Sequence, residues 1–588
     1  MTVLGIWVEV NGCLEQEKAA LLQLKKNVGD QLPFIFRSVW LLDYLESWKE
    51  DKTSNCCDDW EGVTCGLNSR VVSLSLESPN LGHLSEMHFN ASVLHPFEEL
   101  RELNLTSMGI KSWDEDKGST KLSSSLKVLD LSQNMLDNNI ISQLSGFQSL
   151  HTLNLRANQL RGVVPLKGNK YSSGLQKNKF GPSLEFLNLS NNSLEGHIPN
   201  DIYNSSRLQN LDLSYNRLNG LLPKNFSSNI QTLRLNDNRL SGHVTDAFCN
   251  SFSRLSRLDL SNNDLRGRIP AAINNLTQLQ ALFLRGNQFN GQIPFQLCLV
   301  ELRLLDLSSN NLYGSIPTCL SQLFTSRYGG GSPYVDIGMD FELINDGRVG
   351  ELISMKLDSA HNIIYSKAEF VTKNMAYNYE GNMTNILLYM YGIDLSCNKL
   401  TGHIPHELGN LSNIQTLNLS HNQLWGVIPS SFSNLKNIES LDLSFNHLNG
   451  RIPAEATNLN TLEVFNVSYN NLSGKIPFQA QSSTFDATSY KGNPFLCGLP
   501  FPINCTTDDT PSTSTSESQD EDSGWIDMEA FYITFTGSGV TMFLAVVIIM
   551  LINPHWWNAW FYLAKACILY SYYFFEDNIR KLRRARRV

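Results

Sequence analysis

Side chains capable of chemistry are present in this chain, but not in the patterns that catalysis or metal binding requires. The twelve histidines are scattered. His197, His243 and His403 each fill the variable position of a Gly-x-Ile/Val turn, and no nucleophile and base assemble around them in the sequence. The group Cys56-Cys57-Asp-Asp-Trp60-Glu-Gly62-Val63-Thr-Cys65 lacks a second C-x-x-C and a histidine at ligand spacing, which argues against zinc. Gly329-Gly330-Gly331 is not followed by Lys-Ser/Thr, so it is not a phosphate loop. The chemistry that does fit is disulfide formation and glycan transfer. Eleven cysteines sit mostly at the two ends of a repeat array and near its middle, a placement that suits an oxidising compartment. Sequons at Asn90, Asn204, Asn225, Asn275 and Asn382 are glycosylation candidates; those at Asn188, Asn418 and Asn466 are written by the repeat itself. No enzyme activity, cofactor or metal is expected.

The elements that position these residues follow from one stretch, residues 184–199, which reads L-x-x-L-x-L-x-x-N-x-L-x-G-x-I-P from Leu184 through Leu187, Leu189, Asn192, Leu194, Gly196, Ile198 and Pro199. The same frame opens at Val71, Leu100, Leu126, Leu150, Leu184, Leu208, Ile230, Leu255, Leu279 and Leu302, and again at Met390, Ile414, Ile438 and Leu462. A repeat of this length is the signature of a leucine-rich solenoid. The L-x-L pair predicts a short strand with its leucines inward. One coil cannot bury those leucines alone, so neighbours must cover them. The fixed Asn carries two donors and an acceptor. Turned inward, it is expected to satisfy backbone groups of its own coil and the next. Gly-x-Ile-Pro supplies a bend and a stop to pairing. The predicted fold class is therefore an α/β-type solenoid whose strands line one concave wall. Met108 stands where the Asn belongs in the coil opened by Leu100.

Taken in order, residues 1–12 are set aside as a residual signal peptide: Thr2 to Val10 are apolar but include Glu9 and lack a basic flank. Residues 13–69 form an N-terminal cysteine cap, with a helix expected over Glu17 to Val28 from Leu21, Leu24 and Val28. Ten repeats occupy 70–325. Cys298 and Cys319 sit in adjacent coils at offsets that allow a bridge across the convex side, while Cys249 is expected to stay free. Residues 326–389 lack the repeat and form an island. Four repeats follow over 390–479, then a C-terminal cap over 480–505 closed by Cys497 and Cys505. Residues 506–530 are an acidic, Ser/Thr-rich linker. Residues 531–552 carry no charge and are long enough to cross a bilayer. Arg580, Lys581, Arg583, Arg584, Arg586 and Arg587 in the tail, 553–588, set the repeats outside and the tail inside. Gly537, Thr541 and Ala545 form a small-residue stripe for pairing within the membrane. The net charge of −10 and pI near 5.7 argue against nucleic acid as a partner.

The cap motifs Ala20-Leu21-Leu22-x-Leu24-Lys25, Ser47-Trp48 and C-C-x-x-W-x-G-V-x-C resemble those of plant extracellular leucine-rich-repeat proteins. The island exit Glu369-Phe-Val-Thr-Lys373-Asn, with Tyr379-Glu-Gly381 and Tyr391-Gly-Ile-Asp-Leu-Ser after it, is similar to that of plant leucine-rich-repeat receptor-like proteins. So are Asp527-Met-Glu-Ala-Phe-Tyr532 and Ile552-Asn-Pro554. The resemblance covers nearly the whole chain. It implies disulfides Cys13–Cys56 and Cys57–Cys65, and a single-pass plasma-membrane receptor. The tail is too short for a kinase domain. The resemblance therefore implies signalling through an adaptor receptor-like kinase and a co-receptor kinase of the somatic embryogenesis type, in defence more than in development. Two other readings are a developmental peptide receptor-like protein and a wall-associated inhibitor of a secreted polygalacturonase-type enzyme. The uncharged 531–552 stretch argues against the inhibitor.

Outward strand positions are mostly Asp, Asn, Ser and Gln. The coils from Ile230 to Leu302 depart from that rule with Arg234, Arg257, Phe283, Arg285 and Arg303, beside Asn236 and Asp237. Strands lie roughly 4.8 Å apart, so these residues are expected to form one basic patch with an aromatic centre. Arg and aromatic side chains are common binding anchors. The patch would take an extracellular peptide, protein or glycan ligand; the alternative is arginines that merely balance Asp259 and Asp306.

Overall fold

The computed structural model describes residues 13–31, 45–50, 54–76, 86–114, 122–164, 182–199, 207–224, 226–323, 365–372, 375–382 and 390–505. Its spine is a sheet of fifteen strands in chain order. The first, Val63–Cys65, comes from the cap and pairs antiparallel with Val71–Ser75. From there to Val464–Asn466 every neighbour is parallel, one strand per coil. The L-x-L leucines point inward and are almost fully buried, as at Leu211 and Leu213 or Leu441 and Leu443. They stack coil on coil into one continuous core.

Each inward Asn closes its coil against a neighbour. Asn192 Nδ2 donates to the carbonyls of Leu155, Leu189 and Ser190, while its Oδ1 accepts from the Leu160 N–H at 3.1 Å. Leu155 and Leu160 belong to the preceding coil, so the expected bond to the next coil is corrected: the Asn reaches back. Met108 fills the same inward position with apolar bulk. Asn134, one coil on, supplies the bond to the Ile110 N–H at 2.9 Å.

Two regularities have no letter in the repeat frame. The residue before the ladder Asn is left-handed in coil after coil, with φ from 50° to 54° at Asn191, Tyr215, Asp237, Asn262, Ser309, Cys397, His421, Phe445 and Tyr469. The backbone N–H of that residue reaches the following coil, as from Asn191 to the Ser214 carbonyl at 2.9 Å, which offsets the strain of the conformation. Beyond the Asn, the N-x-L-x-G stretch forms a second sheet of twelve strands, from Arg161–Gly162 to Phe495–Cys497. The glycine of that stretch turns at φ +88° in Gly314, Gly402 and Gly426, a region glycine alone enters freely. Single 3-10 turns such as Ala271–Asn275 and His406–Asn410 lead back to the next strand.

Both ends are capped. The helix Glu15–Gln31 is longer at each end than the expected span and buries Leu21, Leu24 and Val28. Its buried Glu17 pairs with Arg70 at 2.8 Å and also accepts the Val71 N–H, which ties the cap to the first coil. Disulfides join Cys13 to Cys56, Cys57 to Cys65, Cys298 to Cys319 and Cys497 to Cys505. Cys249 is free and buried, and Cys397 is free. Within the island, Tyr365–Thr372 and Met375–Asn382 form an antiparallel hairpin that the sequence reading did not contain. Strand Leu304–Asp306 pairs directly with Gly392–Asp394, so the parallel sheet runs on across the island.

Among the described residues no helix is long and apolar enough to cross a membrane. The 531–552 stretch, Gly537, Thr541, Ala545, Cys567, the linker and the tail lie outside the described residues, as do Asn204 and Asn225.

Candidate ligand-binding face

On the concave wall most coils carry Asp or Asn just after the inward strand leucine, and its side-chain oxygen accepts the N–H two residues on. Asp212 accepts from Ser214 at 3.0 Å, Asp306 from Ser308 at 2.9 Å and Asp442 from Ser444 at 2.9 Å. Ser75 stands at this place in the first coil, and the coils opened by Ile230 and Leu279 break the turn. Arg234 replaces the acid in one, with Asn236 in place of the serine. Phe283 replaces it in the other, followed by Arg285. These are two of the coils singled out in the sequence.

The register separates the predicted residues into rows. Arg234 aligns with Asp212, Asp259, and through it with Phe283 and Asp306. Arg257 lies one row over, aligned with Thr232 and Ala281. Arg234 donates to Asp212 across one coil, Nη1 to Oδ2 at 3.1 Å. Arg257 stands over the Phe283 ring at 5.4 Å and has Nη2 3.9 Å from Asp259 Oδ2. Arg303, in a third row, stands over the Tyr391 ring at 5.5 Å. Asn236 donates to Asp237, which also accepts from Asn262.

Burial changes the character of the patch. Arg234, Arg257 and Phe283 are only 7%, 1% and 2% exposed, whereas Asp237, Arg285 and Arg303 are half-buried. Phe283 packs with Ala281, Leu304 and Met390 in an apolar cluster separate from the solenoid core. Burial pushes the Arg257 guanidinium down to about 9, and the nearby Arg234 charge adds to this; Asp259 and Asp212 act against it. The expected open basic patch is thus corrected. It is a floor of paired arginines around a buried phenylalanine, rimmed by Arg285 and Arg303. The physical reason is that concave neighbours stand one strand spacing apart, so a long side chain lies across its neighbour instead of standing free in water. The second, smaller apolar cluster is legible only once the register of Ala281, Phe283 and Leu304 is known.

Among the described residues no group of three His, Cys, Asp or Glu is placed to hold a metal ion. Of the described sequons, Asn275 is exposed and its Nδ2 donates to Asn250, while Asn90 caps the 3-10 turn Ala91–Leu94. Asn382 ends the second strand of the island hairpin, opposite Tyr365.

Comparison with known proteins agrees with this architecture. Residues 228–289 and 390–448 match a leucine rich repeat family, 183–205, 207–229 and 301–323 match a second model of the same description, and 14–66 match the leucine rich repeat N-terminal domain. Cuscuta receptor 1 of Solanum lycopersicum is 59% identical over 218 residues, covering 37% of this chain and 19% of that protein. Receptor-like protein 13 of Arabidopsis thaliana is 47% identical over 293 residues, covering 49% and 27%. A crystal structure of a TDR receptor is similar at a TM-score of 0.45 and 22% identity, over 67% of this chain and 60% of that one. The chain is a leucine-rich-repeat protein. Within that class its matched stretches are similar to plant receptor-like proteins. It spans about a fifth to a quarter of the length of these two curated relatives. At the level of the family, these proteins are receptors and not enzymes.

Proposed function

We propose that this chain is a plasma-membrane receptor-like protein that binds an extracellular peptide, protein or glycan on its concave face and signals through a partner receptor kinase, in plant defence. The observation that carries the binding role is the pair of coils in which Arg234 and Phe283 replace the repeat's turn-forming acid. Asp and Asn there stabilise the coil through the bond to the residue two on; Arg and Phe cannot accept that bond, so the substitutions give up local support. Residues that do so on a solenoid's concave wall fit recognition better than packing. In this reading Arg285, Arg303 and Asp237 meet the ligand, and Arg234, Asn236, Arg257 and Phe283 form the floor beneath. An adaptor receptor-like kinase and a somatic-embryogenesis-type co-receptor kinase are the proposed signalling partners, with the uncharged 531–552 stretch as the membrane anchor and Gly537, Thr541 and Ala545 as its pairing face.

The test is a comparison of substitutions in the full-length protein expressed in plant membranes. Extracellular ligand capture and kinases that co-purify with it are measured together. Phe283→Ala and Arg285→Ala should each weaken ligand capture by about 1–3 kcal/mol, while Gln209→Ala and Glu439→Ala should change it little. Equal losses at all four positions, with folding intact, would remove the patch from the reading.

A further inference from the structure

Along the concave row, each carboxylate commonly borders an amide or a guanidinium from the next coil. Asn154 Nδ2 donates to Asp130 Oδ2 at 2.8 Å, Asn466 to Asp442 at 3.3 Å, and Arg234 to Asp212 at 3.1 Å. Asp259 borders Phe283 instead, and one junction sets carboxylate against carboxylate. Strands Leu304–Asp306 and Gly392–Asp394 pair in register, which makes Asp306 and Asp394 direct neighbours with no amide between them. Each is 1% exposed, at a strand spacing of about 4.8 Å.

This is also the seam where the chain leaves the solenoid for the island and returns. The bond from the Leu312 N–H to Asn398 Oδ1 spans 86 positions of sequence. The two repeat blocks are joined here by strand pairing, by Asn398 and by the Arg303–Tyr391 contact. Two ionised carboxylates held this close and out of water repel each other. A single proton between them converts the repulsion into an O–H···O bond.

Charged and titratable groups from the described coils that face the pair are few. Arg285 attracts both acids, and Asp259 repels Asp306. The Cys397 thiol lies beside Asp394, and Asn418 donates to Asp394 Oδ2 at 3.3 Å. Ser308 and Ser396 each bond the acid of their own coil. Burial is the largest influence on both acids, raising Asp306 and pushing Asp394 up to about 7, with Asp306 the next cause for Asp394.

We propose that Asp306 and Asp394 share a proton and act as a pH-sensitive seam between the two repeat blocks, tight in acid and loosened when both ionise. The sign follows from linkage. The folded pair holds a proton that the unfolded chain releases near the ordinary carboxylate value of 3.8, so its contribution is complete below that value. It is lost as pH rises to about 7. The seam does not depend on the proposed ligand face, so failure of one leaves the other standing.

Hydrogen exchange on the full-length chain between pH 5 and 8, corrected for intrinsic rates, reads the seam directly. The reporters are the N–H groups of Leu307, Ser309 and Gly392, which donate to Asp394, Ser396 and Arg303 across the junction. Leu443 and Phe445, bonded to Asn466 and Ser468, are the reference. Seam protection relative to the reference should fall with pH, approaching about tenfold per pH unit at its steepest, and level off above about 7. Asp394→Asn and Asp306→Asn each recreate the Asp–Asn pairing of Asp130 and Asn154 and should flatten the profile. Asp442→Asn, an acid already paired with Asn466, should leave the slope in place. A flat wild-type profile, or an unchanged slope in Asp394→Asn, overturns the proposal. If the variants do not fold, the wild-type ratio alone decides it.

Discussion

Asn446→Ala tests the claim that the ladder asparagine, reaching back one coil, holds the solenoid closed. Asn446 is buried; its Nδ2 donates to the carbonyls of Leu419, Leu443 and Ser444 at 3.0, 3.2 and 3.1 Å, and its Oδ1 accepts the Leu424 N–H at 3.0 Å. Truncation removes all four bonds. The Ser444 carbonyl keeps the His421 N–H at 2.9 Å, so the loss falls on one N–H and two carbonyls. An orphaned buried group costs about 1–3 kcal/mol, less for a carbonyl that finds water, which gives about 3–5 kcal/mol in total. Because a solenoid is coupled mainly to nearest neighbours, the loss should appear locally. In hydrogen exchange, the Leu419, His421 and Leu424 amides should lose protection while Leu211 and Leu213, many coils away, keep theirs. Asn446→Asp separates donor from acceptor: it preserves the Oδ1 that receives the Leu424 N–H but turns a carboxylate toward carbonyls. It should fail to rescue. A cost below about 1 kcal/mol for the alanine variant, or full rescue by aspartate, would refute the reasoning.

Two further predictions address other joints of the fold. Replacing Cys298 and Cys319 together by alanine opens a link with a sequence separation of 21; the loop-entropy estimate is about 3 kcal/mol, measurable as a lowered denaturation midpoint under non-reducing conditions that disappears when wild type is reduced. Gly314→Ala places a Cβ at φ +88° against the Gln292 side chain, its nearest atom at 3.0 Å. It should destabilise by about 1 kcal/mol or more, whereas Gly146→Ala, with nothing within 4 Å of the added carbon, should not, as thermal melts of the two variants would show.

The frame from Val71 to Leu462 was legible in the sequence because its signal is periodic: inward leucines at fixed spacing have few structural solutions, and stacking them is the only way to cover each coil. The cysteines were legible for a related reason, since Cys298 and Cys319 occupy corresponding parts of adjacent coils. What escaped notice was everything carried by backbone geometry. The second sheet runs through Ser193–Gly196 and its counterparts, where only one leucine and one glycine recur, too little to mark a strand. The left-handed residue before each ladder Asn is Asn, Tyr, Asp, Ser, Cys, His, Phe, Gln, Ala or Gly, so no residue type announces it. The candidate face suffered from the same gap. Sequence offsets placed Arg234, Arg257 and Phe283 on neighbouring strands but not in the right rows, and they could not show that a guanidinium one row away would lie over the aromatic ring. Register fixes that. It turns a list of outward arginines into a buried floor with a half-exposed rim, and so moves the expected ligand contacts from Arg257 toward Arg285 and Arg303. The same register brings Asp306 against Asp394 across the island, a neighbourhood invisible to any window of sequence because 24-residue counting stops where the island begins. The repeat specifies the scaffold, and the departures from it, read through the register, locate the places where the scaffold has been put to other use.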